Sequence, residues 1–176
     1  FSTAVRYMED YPDYIFACSQ AQQYEWMKDY HPGLYEQIKT KVKEGRFIPT
    51  GGSWVEPDTN VPSGESLVRQ FLLGQRYFQA EFGVTCQEFW VPDVFGYSAA
   101  LPQIMQQAGI RYFLTQKMSW NQFNKLPSHT FLWEGLDGSQ VLTHFPPVDT
   151  YNAMANVKDL LFNVSNYKDH DRSKER

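Results

Sequence analysis

The sequence has few cysteines and no paired metal-binding histidines. It contains two cysteines, Cys18 and Cys86, among 176 residues, with no CxxC pair. This excludes a disulfide framework, and Cys18, inside an apolar run, is expected to be a buried thiol, which agrees with a reducing compartment. The four histidines form no HxH, HxxxH or HExxH pattern, so the chain alone does not supply a well-filled metal site.

The sequence also lacks a basic stripe and a long apolar run. The net charge is −4, and nothing in its distribution indicates nucleic acid as a partner. No apolar stretch approaches the ~20 residues that a membrane helix needs, and no secretory signal pattern is present. We therefore expect neither a nucleic-acid nor a membrane partner. GxGxxG, GxxxxGK[ST] and GxSxG motifs are missing as well, which excludes the common phosphate loops and the serine nucleophile elbow.

What the sequence contains is an apolar fraction of 42% and an aromatic fraction of 16%. A chain of this length can bury roughly 70% of its unfolded surface in one domain. The aromatic rings suit a core or the stacking of sugar rings. The chain begins without Met, already in a helical pattern, and residues 167–176 are polar. We therefore expect a fragment of a longer protein with a polar tail at the truncation point.

Strand-like and helix-like patterns alternate along the chain. Short apolar runs predict strands, and apolar residues at helical spacing predict helices. The predicted strands cover 14–18, 46–50, 87–91 and 110–114, a β-hairpin covers 130–145, and helices cover 1–10, 20–30, 32–45, 63–82, 102–108 and 156–166. This alternation predicts an α/β fold with parallel strands and covering helices, as an α/β sheet or a section of an α/β barrel, without an internal domain boundary.

Polar and aromatic residues follow three of the predicted strands, in segments 51–58, 92–97 and 115–120. Ligands of parallel α/β folds gather at the carboxyl ends of the strands, so these segments predict a site. Aromatic rings with converging carboxylates suit a sugar, because the sugar stacks through its C–H face while carboxylates bind its hydroxyls or a metal.

The polar residues of this predicted site also have plainer interpretations. Asp93, in the motif WVPDVFG, equally fits a turn in which Asp bonds its own backbone, and position alone leaves both roles open. Glu56 and Asp58 fall in a polar loop, where solvated carboxylates are common. Lys117 is interpreted as a surface or ion-paired lysine, and His144 as a hydrogen-bonded structural residue.

Several longer motifs together resemble a known family. They are FACSQAQQ (16–23), GGSWVEPDTN (51–60), EFWVPDVFGYS (88–98), LPQI (101–104), FLTQK (113–117), SWN (119–121), FLWEG (131–135), DG (137–138) and THFPP (143–147). They resemble α-mannosidases of glycoside hydrolase family 38, in the branch that contains the cytosolic and vacuolar enzymes. The resemblance covers about residues 1–165, and its motifs are long and specific.

The resemblance implies a retaining, zinc-dependent exo-α-mannosidase that removes terminal non-reducing α-D-mannose from oligosaccharides. Its catalytic domain is barrel-like, and residues 1–166 would be part of that one domain. The Asp of the family motif W-x-P-D-x-F-G is the nucleophile and a zinc ligand, and both roles fall on Asp93. Phe95 would pack on the sugar, and Trp54 and Asp58 are implied at the same subsite. A divalent metal other than zinc is the alternative cofactor.

The sequence departs from the family in what it lacks. No His-x-Asp pair stands at its start, and the family's further zinc His and its acid/base Asp would lie beyond Arg176. We therefore expect the chain alone to be inactive and to hold zinc weakly. The implied location is the cytoplasm, with the vacuole or lysosome as the alternative, and a homo-oligomeric parent protein is compatible with the resemblance.

Two other functions remain as alternatives. A metal-dependent carbohydrate deacetylase on a related scaffold would need an Asp-Asp or His-xxx-His motif, and the sequence has neither. A non-catalytic carbohydrate-binding module would use Trp54, Phe95 and Trp120 as stacking platforms.

Overall fold

The computed structural model describes residues 1–170; residues 171–176 of the predicted polar tail lie outside the described residues. Within that range it contains six α-helices and six strands. In chain order these are α1 (Ser2–Asp10), β1 (Phe16–Cys18), α2 (Ala21–Tyr30), α3 (Pro32–Lys43), β2 (Phe47–Pro49), α4 (Gly64–Phe82), β3 (Glu88–Trp90), α5 (Leu101–Gln107), β4 (Tyr112–Leu114), β5 (Thr130–Glu134), β6 (Gln140–His144) and α6 (Val157–Asn166). None of the helices in residues 1–170 is long and apolar enough to span a membrane.

Contacts divide the chain into two compact units. Unit 1 comprises residues 1–56 and 63–89, and unit 2 comprises, among the described residues, 57–62 and 90–170. The prediction that residues 1–166 are part of one catalytic domain is not tested by this division and stays a prediction.

Unit 1 is built around a pair of parallel strands and one buried ring. Strands β1 and β2 pair with Phe16 opposite Phe47. Tyr24, on α2, is fully buried, and its ring meets the rings of Phe47 and Phe78 edge-on at 6.0 and 5.7 Å between centroids. Its hydroxyl donates to the Cys18 carbonyl oxygen at 2.7 Å, which satisfies the polar end of a buried tyrosine.

Helix α4 has clear signals at both ends and a close contact in its middle. The predicted cap Ser63 accepts a hydrogen bond from the backbone N–H of Ser66 at 3.2 Å, and Gly83 ends the helix in the left-handed conformation with φ 68°. A Cβ atom at Gly74 would lie 2.4 Å from the backbone carbon of Ser53. The helix therefore packs directly on the backbone of the loop that follows β2.

Unit 2 contains strands β4, β6 and β5, which are neighbours in that order in a mixed sheet, and Trp90, the last residue of β3, also belongs to this unit. Strands β4 and β6 are parallel, with Tyr112 opposite Leu142. Strands β5 and β6 form the antiparallel hairpin, with Thr130 opposite His144. The hairpin thus joins the sheet through its second strand and places the carboxyl ends of β4 and β6 at the same edge.

The predicted elements are confirmed, and each overlaps a helix or strand of the structure. The α/β class with parallel strands and the hairpin at 130–145 are likewise confirmed. The described strands form one two-stranded and one four-stranded sheet, so the section of an α/β barrel stays a prediction.

Candidate functional site

Asp93 stands at the carboxyl end of β3, in unit 2. The backbone N–H of Val91 donates to the Leu114 carbonyl at 3.0 Å, which fixes the strand end against β4. Val94, just after Asp93, is buried and anchors the loop. The Asp93 side chain itself is 48% exposed. The fold therefore holds the backbone on both sides of this carboxylate and leaves the carboxylate accessible.

The Asp93 carboxylate is paired with a lysine from the next strand end. Lys117 follows β4, and its Nζ lies 2.6 Å from Asp93 Oδ1. This hydrogen bond to Lys117 holds the pKa of Asp93 below its ordinary value, and it raises the pKa of Lys117. Asp93 is therefore ionised at neutral pH and Lys117 is protonated.

Three aromatic rings surround the Lys117 ammonium. Its Nζ lies 3.7 Å from the ring centroid of Trp120, 4.7 Å from that of Phe95 and 5.1 Å from that of Tyr151. The Tyr151 hydroxyl also accepts a hydrogen bond from Nζ at 3.3 Å. We call Trp120, Phe95 and Tyr151 the ring box. Ring faces attract a cation, and the attraction grows as water is excluded; the Lys117 side chain is only 11% exposed.

A second loop is fastened to the Asp93 motif through Gly96. The Thr59 backbone N–H and hydroxyl both donate to the Gly96 carbonyl, at 3.1 and 2.9 Å, and the Ser98 N–H donates to the Thr59 hydroxyl at 2.8 Å. A Cβ atom at Gly96 would lie 2.4 Å from Asp58 Oδ1 and 2.7 Å from Asn60 Nδ2. The glycine of the motif is therefore needed for this close packing.

A cavity of about 520 Å³ opens beside the ion pair, entirely within unit 2. It is lined by Asn60, Val94, Phe95, Gly96, Tyr97, Phe113, Thr115, Lys117, Met118, Leu126, Phe131, Trp133, Thr143 and Phe145. The lining is mostly apolar with a few polar groups, which is typical of pockets that bind small molecules. Phe95 and Lys117 belong both to this lining and to the surroundings of Asp93.

The three residues predicted to contact a sugar, Phe95, Asp58 and Trp54, differ in exposure and in hydrogen bonding. Phe95 is 77% exposed, so one ring face is accessible for stacking. Asp58 lies in the same unit, where its Oδ1 accepts the backbone N–H of Asn60 at 2.9 Å, the bond of an ordinary turn. Trp54 belongs to unit 1, where its indole N–H donates to Gln22 Oε1 at 3.0 Å. Their roles at a sugar subsite stay predictions.

The described residues do not form a complete zinc site. Asp93 is an exposed carboxylate that could serve as a ligand, but residues 1–170 contain no group of three His, Cys, Asp or Glu side chains able to hold a metal. Protein zinc sites use three or four such ligands. Nδ1 of His144 bonds the Thr130 hydroxyl at 2.9 Å, which confirms the structural interpretation of that histidine.

The sequence interpretation undervalued Lys117 and missed Tyr151. Lys117 is ion-paired, as one of its two interpretations held, but it is sheltered by rings rather than placed on the surface. Tyr151 follows the hairpin by several residues, and no local pattern marks it. The one signal available was its position after a strand end, in a segment that begins with THFPP.

Comparisons with known proteins identify a matching family and several similar proteins. Residues 1–176 match the family described as glycosyl hydrolases family 38 N-terminal domain. The chain is 60% identical over 175 residues to alpha-mannosidase G of Dictyostelium discoideum and 58% identical over 171 residues to alpha-mannosidase 2C1 of Homo sapiens. These alignments cover 99% and 97% of this chain.

The chain spans 16% of the length of each of those two relatives. Among solved structures, an alpha-mannosidase from Enterococcus faecalis V583 superposes with a TM-score of 0.74 at 22% identity, covering 97% of this chain and 21% of that one. At this identity the superposition shows a shared fold.

Proposed function

The chain belongs to glycosyl hydrolase family 38, and from this premise we propose that its protein is an α-mannosidase. The proposed reaction is hydrolysis of terminal, non-reducing α-D-mannose from oligosaccharides with retention of configuration. The names of its relatives support the substrate class, and the whole activity would need further residues beyond this chain of 176.

The observation that carries the proposal is the presentation of Asp93. A nucleophilic carboxylate must be ionised, accessible and fixed in position. Asp93 is half exposed, lies at a strand end where ligands of such folds bind, and is paired with the Lys117 ammonium, which favours the ionised form. A general acid would instead need a raised pKa, so these surroundings favour Asp93 as the nucleophile.

In the proposed mechanism an oxygen of Asp93 attacks the anomeric carbon of mannose. The bond from that carbon to the leaving oxygen breaks, and a second carboxyl group about 5–5.5 Å from the nucleophile protonates the leaving oxygen. Water then attacks the glycosyl ester, its proton passes to the second carboxylate, and Asp93 leaves as an anion. The second carboxyl group would come from residues beyond those described.

We also propose zinc as the cofactor, with another divalent metal as the alternative. Asp93 would supply one ligand, and the remaining ligands would come from residues beyond 1–170, because the described residues contain no metal-holding group of three. A bound metal would act as a Lewis acid toward sugar oxygens.

We further propose the structural and cellular features that membership in the family implies. Residues 1–166 would form a section of a barrel-like catalytic domain, and Phe95, Trp54 and Asp58 would contact the sugar. The protein would act in the cytoplasm, with the vacuole or lysosome as the alternative, and could assemble as a homo-oligomer. The isolated chain would be inactive because Asp93 would lack its acid partner.

The test is Asp93→Asn in the full-length protein, assayed on an aryl α-mannoside after chelation and zinc add-back. Asn keeps the shape but cannot attack, so we expect kcat to fall at least ~1,000-fold while metal is still bound. Asp137→Asn is the matched control, since Asp137 is an exposed turn residue that bonds Ser139, and should leave kcat unchanged. If Asp93→Asn keeps most of its activity, Asp93 is a turn residue only.

Two further measurements separate the alternatives. Retention predicts α-mannose as the first anomer seen by NMR in the hydrolysis mixture, and β-mannose would overturn the retaining mechanism. For a carbohydrate-binding module, titration calorimetry would show strong binding of mannose without metal.

A further inference from the structure

We propose that Lys117 is a positioning residue for the nucleophile: its ammonium, held in the ring box, fixes the Asp93 carboxylate for attack on the sugar. The inference rests on the proposed function, since it takes Asp93 as the nucleophile. It adds a role for a residue that touches Asp93 and is itself held in place by Trp120, Phe95 and Tyr151.

A second ion pair in the chain shows what is unusual about Lys117. Lys28 lies 2.6 Å from Glu81 Oε1, the same distance as between Lys117 and Asp93, but its side chain is 44% exposed against 11% for Lys117. An exposed lysine samples many rotamers, and its pairs contribute about 0–1 kcal/mol in a typical case. Lys117 is confined by its surroundings, so the carboxylate it contacts is confined as well.

The ring box brings together, at one ammonium, residues from the segments that follow three strands. Phe95 lies in the loop after β3, Trp120 ends the short helical turn after β4 (Lys117–Trp120), and Tyr151 lies in the segment after β6. Trp120 and Tyr151 also stack, with centroids 5.5 Å apart and planes at 22°. The position of Lys117 is therefore set by several elements together.

Fixing the nucleophile matters because attack requires a narrow geometry. A displacement of about 1 Å in a reacting group can cost ~100-fold in rate. Without the ammonium, Asp93 stays on its strand end, but its half-exposed carboxylate loses one of the contacts that fix its orientation. We therefore expect the loss of Lys117 to act on the chemical step rather than on the binding of mannose.

A positioning role for Lys117 predicts different kinetics from a role in sugar binding alone or in stability alone. If Lys117 served only to bind the sugar, its loss would raise KM and leave kcat unchanged. If it served only stability, activity would follow the folded fraction, and replacing the lysine by another cation would have no special effect on kcat. A positioning residue lowers kcat at nearly constant KM, and a cation of similar reach restores part of the rate.

The experiment compares Lys117→Met, Lys117→Arg and Lys28→Met in the full-length protein, with kcat and KM on an aryl α-mannoside and thermal unfolding of each variant. For Lys117→Met we expect kcat to fall about 100-fold with KM within about threefold. Lys117→Arg should recover at least tenfold of that loss, because a guanidinium also pairs with carboxylate and stacks on rings. Lys28→Met breaks an equally short pair and should keep the wild-type kcat.

Wild-type kcat in Lys117→Met, or a loss confined to KM, overturns the proposal. If Lys117→Met does not fold, Trp120→Leu decides, since it keeps both charges and removes the nearest ring: a fall in kcat at constant KM supports the proposal and an unchanged kcat overturns it. If the wild type is an active α-mannosidase and Lys117→Met keeps its kcat, this inference alone is refuted. If the wild type has no α-mannosidase activity, the proposed function is refuted and this inference with it.

Discussion

Replacing Gly74 by Ala should destabilise unit 1, against the usual effect of this change in a helix. Gly74 lies within α4, where Gly→Ala is ordinarily stabilising by roughly 0.5–1 kcal/mol. Here the new Cβ atom would lie 2.4 Å from the Ser53 backbone carbon and 2.6 Å from the Gly52 carbonyl oxygen, whereas ordinary contact begins at 3.4 Å. The atoms it meets belong to backbone, so no side-chain rotation relieves the overlap.

The size of the effect follows from that overlap. Helix and loop would have to separate by about 1 Å, and overpacking that moves backbone costs roughly 1–3 kcal/mol. The movement would also strain the bond from the Trp54 N–H to the Gln70 carbonyl at 3.0 Å and that from the Val55 N–H to Gln70 Oε1 at 2.9 Å. After subtraction of the helix gain, we expect a net loss of about 1 kcal/mol in local stability.

Amide hydrogen exchange of the full-length protein measures this local stability directly. Peptides that cover residues 50–56 should exchange about fivefold faster in Gly74→Ala, since ~1.4 kcal/mol corresponds to a factor of ten. Gly33→Ala is the matched control: Gly33 is also helical, nothing lies within 4 Å of its added Cβ, and exchange should stay equal or slow down. Unchanged or slower exchange in Gly74→Ala would refute the close contact between helix and loop.

Two further predictions concern unit 2. Gly96→Ala should cost roughly 1–3 kcal/mol, because its Cβ would lie 2.4 Å from Asp58 Oδ1 and 2.9 Å from Asn60 Cβ, and the latter atom cannot rotate away. Faster exchange over residues 57–62 would confirm the contact, and unchanged exchange would contradict it. Burial, and then the charge of Lys168, lower the pKa of His129, so the folded state keeps it neutral while the unfolded state protonates near pH 6.5. This contribution to the free energy of unfolding is therefore present above pH 6.5 and is lost as the pH falls below it. In urea unfolding, the free energy of unfolding should fall less between pH 7.5 and pH 5.5 in His129→Gln than in wild type. Equal falls in the two proteins would count against His129 as the cause.

The elements of the fold could be predicted because their signals are local. Helix α4 shows a serine cap before its apolar face and a glycine after it, and the structure confirms Ser63 and Gly83 in those roles. The hairpin was indicated by two β-rich runs around a Gly-Leu-Asp-Gly turn, and Gly138 has the positive φ, 84°, that such a turn uses. Such signals need no knowledge of distant contacts.

The pairing of strands and the reason for Gly74 could not be predicted in the same way. Strand β6 is parallel to β4 although β5 lies between them in the sequence, and this order depends on tertiary packing. A glycine inside a helical pattern indicates only a position of low helix propensity. Its purpose is seen only when the loop that ends at Ser53 is placed against it.

The two interpretations of Asp93, turn residue and presented carboxylate, illustrate where sequence reasoning reaches its limit. Asp58 and Asp137 stand in similar Gly-containing or polar loops, and each accepts a backbone N–H two residues on, at 2.9 and 3.1 Å; these are the bonds of turn formers. Asp93 instead directs Oδ1 at the ammonium of Lys117, 24 residues later in the sequence. A turn former needs only its neighbours, whereas Asp93 is held by a cation that rings from three different segments of the chain keep in place. A sheltered lysine and the ring box thus hold one exposed carboxylate in place. This arrangement favours the interpretation that Asp93 is presented to a ligand over the interpretation that it closes a turn.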